Sequence, residues 1–259
     1  MQGNDFEYRG LMASTWDLLR GDTSRWEDRF AYLKMIEKYG QPALDVGCAT
    51  GRLLLDYLQN GIDIDGVDIS PEMLALCTEK ASKMGLSPVL YQQAMENLEL
   101  PRRYRTILVP SSSFQLILDP DQAAQAMLRL HAHLQPKGAL VMPFMRLWRE
   151  GDPLESDWEL MSEKVRPEDG AMVRKWSRWR YDPQAQLEYT EDRYEVMLDG
   201  VVLASEHHRR SPVTREYTKS QAVQLYHLAG FAEIRLLSGF SMDPARDEDR
   251  IFSVVGEKG

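Results

Sequence analysis

Between Gln41 and Phe144 the sequence alternates short apolar runs with longer amphipathic stretches, five times over. The runs are Ala43 to Val46, Ile64 to Asp68, Pro88 to Gln92, Arg105 to Pro110 and Ala139 to Phe144. Continuous apolar runs of this kind read as strands buried on both faces. The stretches between them carry helix signals. Gly51 to Asn60 sets Leu53, Leu54, Tyr57 and Leu58 on one side. Ser70, Pro71 and Glu72 form a helix start that runs to Lys83 and stops at Gly85. Asp119, Pro120 and Gln122 start another, which runs to Leu134 before Pro136 and Gly138 break it. Repeated strand and helix predicts a parallel sheet with helices on both faces, because right-handed crossovers place them there.

Outside this block the texture changes. Met1 to about Gly21 reads as an amphipathic helical lead-in. A second helix is expected from Ser24 to Lys38, capped by Ser24, with Phe30, Leu33 and Ile36 on its apolar face. Glu159 to Arg215 is rich in Trp, Tyr, Val and Arg, with turn signals at Glu168-Asp169-Gly170, Asp182-Pro183 and Asp199-Gly200. It predicts three or four antiparallel strands, and Asp199-Gly200 between apolar stretches marks a hairpin. Thr218 and Gln221 then form a capping box for a helix ending at Gly230. Two strands follow, Ala232 to Leu237 and Arg250 to Gly256. The division expected is a lead-in or lid over residues 1–40, a core over 41–145, an antiparallel insert over 146–216, and a C-terminal helix with two strands over 217–259. The insert serves as a substrate lid or a dimer interface.

Composition narrows the function. The 259-residue chain carries 31 basic and 40 acidic side chains, for a net charge of −9. A face built to hold nucleic acid needs the opposite balance, so no nucleic-acid partner is expected. The first ten residues are polar, with Asp5, Glu7 and Arg9, and hold no apolar core of a signal peptide. No apolar run approaches the roughly 20 residues of a membrane span. Cys48 and Cys77, the two cysteines, support neither a disulfide framework nor a zinc site. These features point to a cytoplasmic protein, and no clustered ligands suggest a required metal.

The informative stretch is Ala43 to Arg52, ALDVGCATGR. A strand ends at Asp45, a turn holds Gly47 and Gly51, and a helix follows. Glycines let a ligand approach the backbone, and a helix start offers free amide donors. A dinucleotide fingerprint would need glycine where Ala49 and Arg52 stand. A P-loop would need Gly-Lys-Ser/Thr, which is missing. What fits is an acidic residue followed by Gly-x-x-x-Gly.

Asp45-Val46-Gly47-Cys48-Ala49-Thr50-Gly51, with Asp68 ending the next strand, resembles the first motif of the class I S-adenosylmethionine (SAM)-dependent methyltransferases. Ala49 stands where glycine is commoner in that family. The resemblance implies that Asp45, Gly47, Cys48, Ala49, Thr50 and Gly51 surround the cofactor. It also implies that Asp68 accepts hydrogen bonds from the ribose diol, a charge-assisted bidentate contact. Gln93, Ala94 and Met95 would lie around adenine, Ile69 would join the cofactor site beside Asp68, and Pro110 and Ser111 would lie beside the methionine part. Tyr8 and Trp16 of the lead-in, with Ser113, Phe114, Arg146 and Trp148, would face the substrate. The order of elements along the chain resembles a bacterial subgroup that includes amino-sugar N-methyltransferases. It implies a Rossmann-like, doubly wound α/β fold: a seven-stranded sheet, last strand antiparallel, with an antiparallel β insert after the fifth strand. The function implied is in-line methyl transfer to N or O of a small molecule, leaving S-adenosylhomocysteine (SAH). An RNA or protein methyltransferase, or a non-catalytic SAM-binding scaffold, is the alternative on the same fold.

No residue declares itself as a base. His207 and His208 are weak candidates; adjacent strand residues point to opposite faces, so at most one faces a pocket. His131, His133 and His227 read as structural. Arg174, Lys175, Trp176, Arg178, Trp179 and Arg180 read first as an outer strand face, next as a substrate lid and last as an RNA contact. The absence of an evident base favours an amine or an already acidic hydroxyl as acceptor.

Overall fold

The computed structural model describes residues 8–209 and 213–259. Residues 1–7 of the expected lead-in, Asp5 and Glu7 among them, and residues 210–212 after the paired histidines lie outside the described residues.

Seven strands form the core sheet: β1 (Ala43–Val46), β2 (Ile64–Asp68), β3 (Leu90–Gln92), β4 (Tyr104–Leu108), β5 (Leu134–Met145), β11 (Glu233–Ser238) and β12 (Ile251–Glu257). Their order is β11-β12-β5-β4-β1-β2-β3. β12 runs antiparallel to both β5 and β11, whereas β1 is parallel to β2 and β4. The expected α/β architecture is therefore the observed one. β1 and β2 are buried along their whole length, as apolar runs covered on both sides must be. The order reverses at β1, with β2 on one side and β4 on the other. Open α/β sheets form their ligand crevice at such a switch point.

The helices are α3 (Glu27–Tyr39), α4 (Leu54–Gln59), α5 (Pro71–Lys83), α6 (Pro120–His133) and α7 (Lys219–Leu228), after two short ones, α1 (Gly10–Ser14) and α2 (Trp16–Arg20). Three start as their sequences demand. Ser70 Oγ accepts from the Met73 amide at 3.2 Å, Asp119 accepts from Asp121 and Gln122, and Thr218 and Gln221 make a reciprocal capping box.

Several boundaries differ from expectation. The lead-in is two short helices rather than one, broken at Thr15, whose hydroxyl donates to Leu11 O at 2.6 Å. Ser24 does not cap α3: its amide donates to Asp22 Oδ1, and α3 begins later, after Trp26. Phe30 is exposed, because α3 turns Tyr32, Met35, Ile36 and Tyr39 inward and sets Asp28 against Arg52. α4 begins at Leu54 because Gly51, at φ +82°, cannot be helical. β5 starts directly at Leu134, and Pro136 and Gly138 sit in an irregular stretch of it rather than in a loop.

The insert holds five strands, not three or four: β6 (Glu159–Val165), β7 (Met172–Asp182), β8 (Leu187–Leu198), β9 (Val201–His208) and β10 (Val213–Arg215). The short β10 escapes notice because it pairs with only Leu187 to Tyr189, while β9 takes the rest of the same edge of β8. One end of this sheet packs Ala171, Val173 and Val196 on Leu11, Leu18 and Leu19 of the lead-in. The other end reaches the strand tips of the core: Gln115 donates to Met145 O and Arg215 O at 3.0 and 2.8 Å. The insert and lead-in thus roof the carboxyl end of the core sheet.

Candidate active site

The turn after β1 is set by its hydrogen bonds. The Gly47 and Cys48 amides both donate to Val67 O, at 2.8 and 3.0 Å, which folds the turn back onto β2. Gly47 has φ +77° and Gly51 φ +82°. A Cβ on Gly47 would lie 2.7 Å from Ser113 Oγ, so only glycine lets the loop after β4 close against this turn. Ala49 (φ +48°) and Ser111 (φ +57°) occupy the same left-handed region without being glycine. Strain of this kind gathers at ligand sites.

Asp68 sits at the end of β2 and is buried. One carboxylate oxygen accepts from the Ala49 amide and the other from the Ser70 amide, both at 2.8 Å. A carboxylate offers about four lone-pair sites, so two stay open for hydroxyls. Burial raises its pKa, against the pull of those amides. Asp45, on the neighbouring strand, is 1% exposed, and its Oδ1 has no hydrogen-bond partner among the described residues. Burial pushes its carboxyl up to about 7, while Arg52 draws it down. An orphaned buried acceptor at a strand tip fits a cationic ligand group.

The other residues singled out by the sequence fall around this turn in varied ways. Cys48 and Thr50 are buried, Ile69 is exposed, and Ala94 and Met95 are half-buried. The Met95 methyl reaches 4.0 Å from where a Gly47 Cβ would stand. Ser113 donates to Pro110 O at 2.8 Å and faces Gly47. Phe114 is not brought to the cleft. It lies in the core at 1% exposure, against Phe144 and Tyr217. Tyr8 and Trp16 meet edge to face at 5.0 Å, and Ser70 Oγ donates to Tyr8 O at 2.7 Å. Arg146 lies 3.6 Å from Glu216, and Trp148 stacks on Tyr181 at 5.6 Å.

The lead-in is tied down from four sides. The Gly10 amide donates to Glu72, the Leu11 amide to Glu206, Thr50 Oγ1 to Asp17, and Lys80 pairs with Asp17. His208 bonds Glu206 and packs on Tyr194, facing inward; His207 pairs with Glu191 beside Trp158 on the outer face. The alternation expected of adjacent strand residues holds for this pair. His133, read as structural, is buried, and both its ring nitrogens are engaged, with the Leu100 amide and Arg129 O.

Sequence reading missed the inner face of the insert. Along β8, Glu188, Thr190, Asp192, Tyr194 and Val196 point one way, opposite Tyr181, Trp179, Ser177, Lys175 and Val173 of β7. Asp192, fully buried, accepts from Ser177 Oγ at 2.6 Å and pairs with Lys175 at 3.0 Å. Glu216, also buried, accepts from the Leu147 and Trp148 amides. The available signal was the polar residue at alternate positions of β8, visible only once it is known which face is covered. Arg174 and Arg178 point outward and pair with Glu163 and Glu191, while Lys175 and Trp179 point inward. The basic aromatic run is therefore divided between an outer ion-paired face and the roof.

Residues 43–138 match the family model described as a methyltransferase domain. The dTDP-3-amino-3,6-dideoxy-alpha-D-glucopyranose N,N-dimethyltransferase of Streptomyces fradiae is 26% identical over 145 residues, 54% of this chain and 55% of that protein. The chain spans about half the length of the curated relatives it matches. An S-adenosylmethionine-dependent methyltransferase from Clostridium acetobutylicum superposes with a TM-score of 0.74 at 18% identity, covering 92% of this chain and 93% of that one. The SAM-bound amino pentose methyltransferase of Micromonospora echinaspora gives 0.70 at 18% identity, covering 98% and 99%.

Proposed function

We propose that this chain, which matches a methyltransferase-domain model over residues 43–138, moves the methyl group of SAM onto the nitrogen of a small-molecule amine, an amino sugar being the class in view. The observation that carries the reading is the placement of two buried acids on neighbouring strands at the Gly47–Gly51 turn: Asp68, which holds the Ala49 amide, and Asp45, whose Oδ1 has no partner among the described residues.

SAM supplies an activated methyl on a sulfonium. The residues present fit it. Asp68 has two lone-pair sites left for the ribose hydroxyls, and Oδ1 of Asp45 lacks a partner that the amino-acid ammonium would provide. Ile69, Ala94 and Met95 would flank adenine, and Pro110 and Ser111 the methionine part. The protein's task is then to hold the acceptor in line and to exclude water. The lead-in, tied by Asp17, Glu72 and Glu206, covers the turn. Trp148 and Tyr181, stacked beside Arg146 and Glu216, would wall the acceptor's side.

A small acceptor is favoured over RNA because Arg174 and Arg178 on the outer face of the insert are paired with acids. The Streptomyces fradiae relative is named as an N,N-dimethyltransferase of an amino-sugar nucleotide, which favours nitrogen over oxygen. The test is tritium transfer from labelled SAM to dTDP-3-amino-3,6-dideoxyglucose and to simple amino sugars, with hydroxyl-only sugars as controls. Label appearing only in amine acceptors supports the reading. Protein that binds SAH yet labels hydroxyl-only sugars equally well sinks it.

A further inference from the structure

Four acidic side chains lie on or beside the inner face of the roof, and three of them are engaged. Asp192 is paired with Lys175 and bonded by Ser177; Glu206 takes the Leu11 amide and His208; Glu216 takes two backbone amides and lies beside Arg146. Glu188 is the fourth. Among the described residues no hydrogen bond or ion pair engages its carboxylate.

Its place is fixed by strand register. Glu188 stands opposite Tyr181 of β7 and Thr214 of β10, on the face that carries Asp192 and Tyr194. Tyr181 stacks on Trp148, the residue just past β5, and Glu216 binds the Leu147 and Trp148 amides. Its neighbour β10 is tied through Gln115, in the loop after β4, to Met145 O at the end of β5, because Gln115 donates to both Arg215 O and Met145 O. The ionisable groups around it are Tyr181, Glu216 and, through Glu216, Arg146. On the adjoining segment the Tyr217 hydroxyl is likewise buried without a partner among the described residues.

Both burial and the negative charge of Glu216 raise the pKa of Glu188. A carboxylate held this way prefers a proton or a cation to water. A half-buried acid that is unpaired while its neighbours are paired has a proton-transfer role open to it.

We propose that Glu188 receives the acceptor's ammonium group and takes one proton from it before methyl transfer. The inference rests on the amine reading above. An ammonium cannot attack, because its nitrogen lone pair holds the proton. The N–H bond breaks, the proton passes to a Glu188 oxygen, and the neutral amine keeps the electron pair. That pair forms the new N–CH3 bond as the methyl–sulfur bond breaks and its electrons stay on sulfur. The Glu188 proton then passes to solvent. Glu216, held by Arg146 and two amides, keeps its charge and acts as a positioning residue that makes Glu188 a better proton acceptor.

Two readouts test this. Full-length protein labelled with δ-13C glutamate and saturated with SAH gives a carboxyl signal assigned to Glu188 by its loss in Glu188→Gln. The signal is expected to titrate above the ordinary glutamate range, and to move on adding methylammonium chloride but not on adding sodium chloride at equal ionic strength. An ordinary titration, or equal response to both salts, overturns the proposal whatever the true acceptor is. With an amine probe that the wild type methylates, Glu188→Gln should lower kcat/KM about 100-fold and move the acid limb of its pH profile up to the ionisation of the amine itself. SAH affinity should stay within about threefold, since the cofactor residues lie elsewhere. Unchanged kcat/KM in a variant that binds SAH also overturns it. Failure of the wild type to methylate any amine probe bears instead on the proposed function, and the carbon-13 signal still decides whether Glu188 takes up protons as described.

Discussion

Thr50 Oγ1, in the turn after β1, donates a 2.7 Å hydrogen bond to Asp17 of α2, whose other oxygen pairs with Lys80 of α5 at 2.6 Å. The lead-in is thereby fastened to the same turn that would hold the cofactor. Asp17 is about half exposed, so the ion pair itself contributes little and the hydrogen bond to buried Thr50 matters more. Asp17→Ala should weaken SAH binding by roughly 1 kcal/mol, about fivefold. Hydrogen exchange across residues 10–20 should quicken while the core stays protected. Calorimetry and exchange measured together check this; weaker binding with unchanged exchange would mean that Asp17 acts on the ligand without the lid.

Asp68 is predicted to carry the cofactor's ribose. Asp68→Ala removes the acceptor for two backbone amides as well as for the diol. The SAH dissociation constant should rise at least about tenfold, or ~1.4 kcal/mol. Asp68→Asn keeps one acceptor oxygen and should lose less. NADH, which needs a different glycine pattern, should give no heat with the wild type. Equal SAH binding by folded Asp68→Ala protein would remove Asp68 from the site.

Asp45 makes cofactor binding depend on pH. Its carboxyl, pushed up to about 7 by burial, binds a proton in the folded chain that an unfolded chain releases. A raised folded pKa contributes stability that is full below the unfolded value and is lost as pH rises through the folded one. The cofactor-free protein should therefore lose stability between about pH 4 and pH 7 from this group. An ammonium placed on Asp45 favours the ionised form, so SAH binding at pH 7 should release roughly half a proton. Calorimetry in buffers of different ionisation enthalpy measures that number directly. Asp45→Asn should abolish the release, and an unchanged release would assign it to another group.

Ala49 sits at φ +48°, where a side chain is strained, and its amide is held by Asp68. The left-handed conformation costs an L-residue about 1–2 kcal/mol. Glycine relieves this but loses more backbone entropy on folding, by about 0.5–1 kcal/mol. Ala49→Gly should therefore stabilise the protein by about 0.5–1 kcal/mol and leave SAH binding intact. Thermal unfolding with and without SAH checks both parts.

The core was legible because its strands are short, apolar and separated by helices with explicit caps. Ser70, Asp119 and Thr218 each cap the helix their sequence promised. The Gly47–Gly51 turn and Asp68 could be picked out for the same local reason: their roles follow from a few adjacent residues. The lead-in and roof were not legible to that degree. Whether Phe114 lines a cleft or packs on Phe144 depends on long-range contacts. Glu188, Asp192 and Glu216 look like any solvated strand acids until the register of β7, β8 and β10 shows which face is covered. Ser24 failed as a cap because Asp22, just upstream, takes its amide and the helix starts after Trp26, just downstream, a competition among local turns that pattern alone cannot rank.

β9 sets the last prediction. It pairs with β8 on one side, and among the described residues its other edge pairs with no strand. Val201, Val202 and Leu203, consecutive on this strand, are 62%, 50% and 54% exposed. An apolar strand edge left open in this way is a template for pairing with another strand, and such edges are usually blunted by charge, proline or a bulge. Here the acidic and histidine residues come only at the far end, at Glu206 to His208, where they hold the lead-in and pair with Glu191. The expected outcome is that two copies join through antiparallel β9 edges, a self-complementary arrangement that closes at two chains. Sedimentation of the wild type should give twice the chain mass at micromolar concentration. Val202→Lys should give the chain mass, with SAH affinity unchanged because none of the residues assigned to the cofactor lies on β9. A wild type that sediments as a single chain at tens of micromolar would leave the insert as a lid alone.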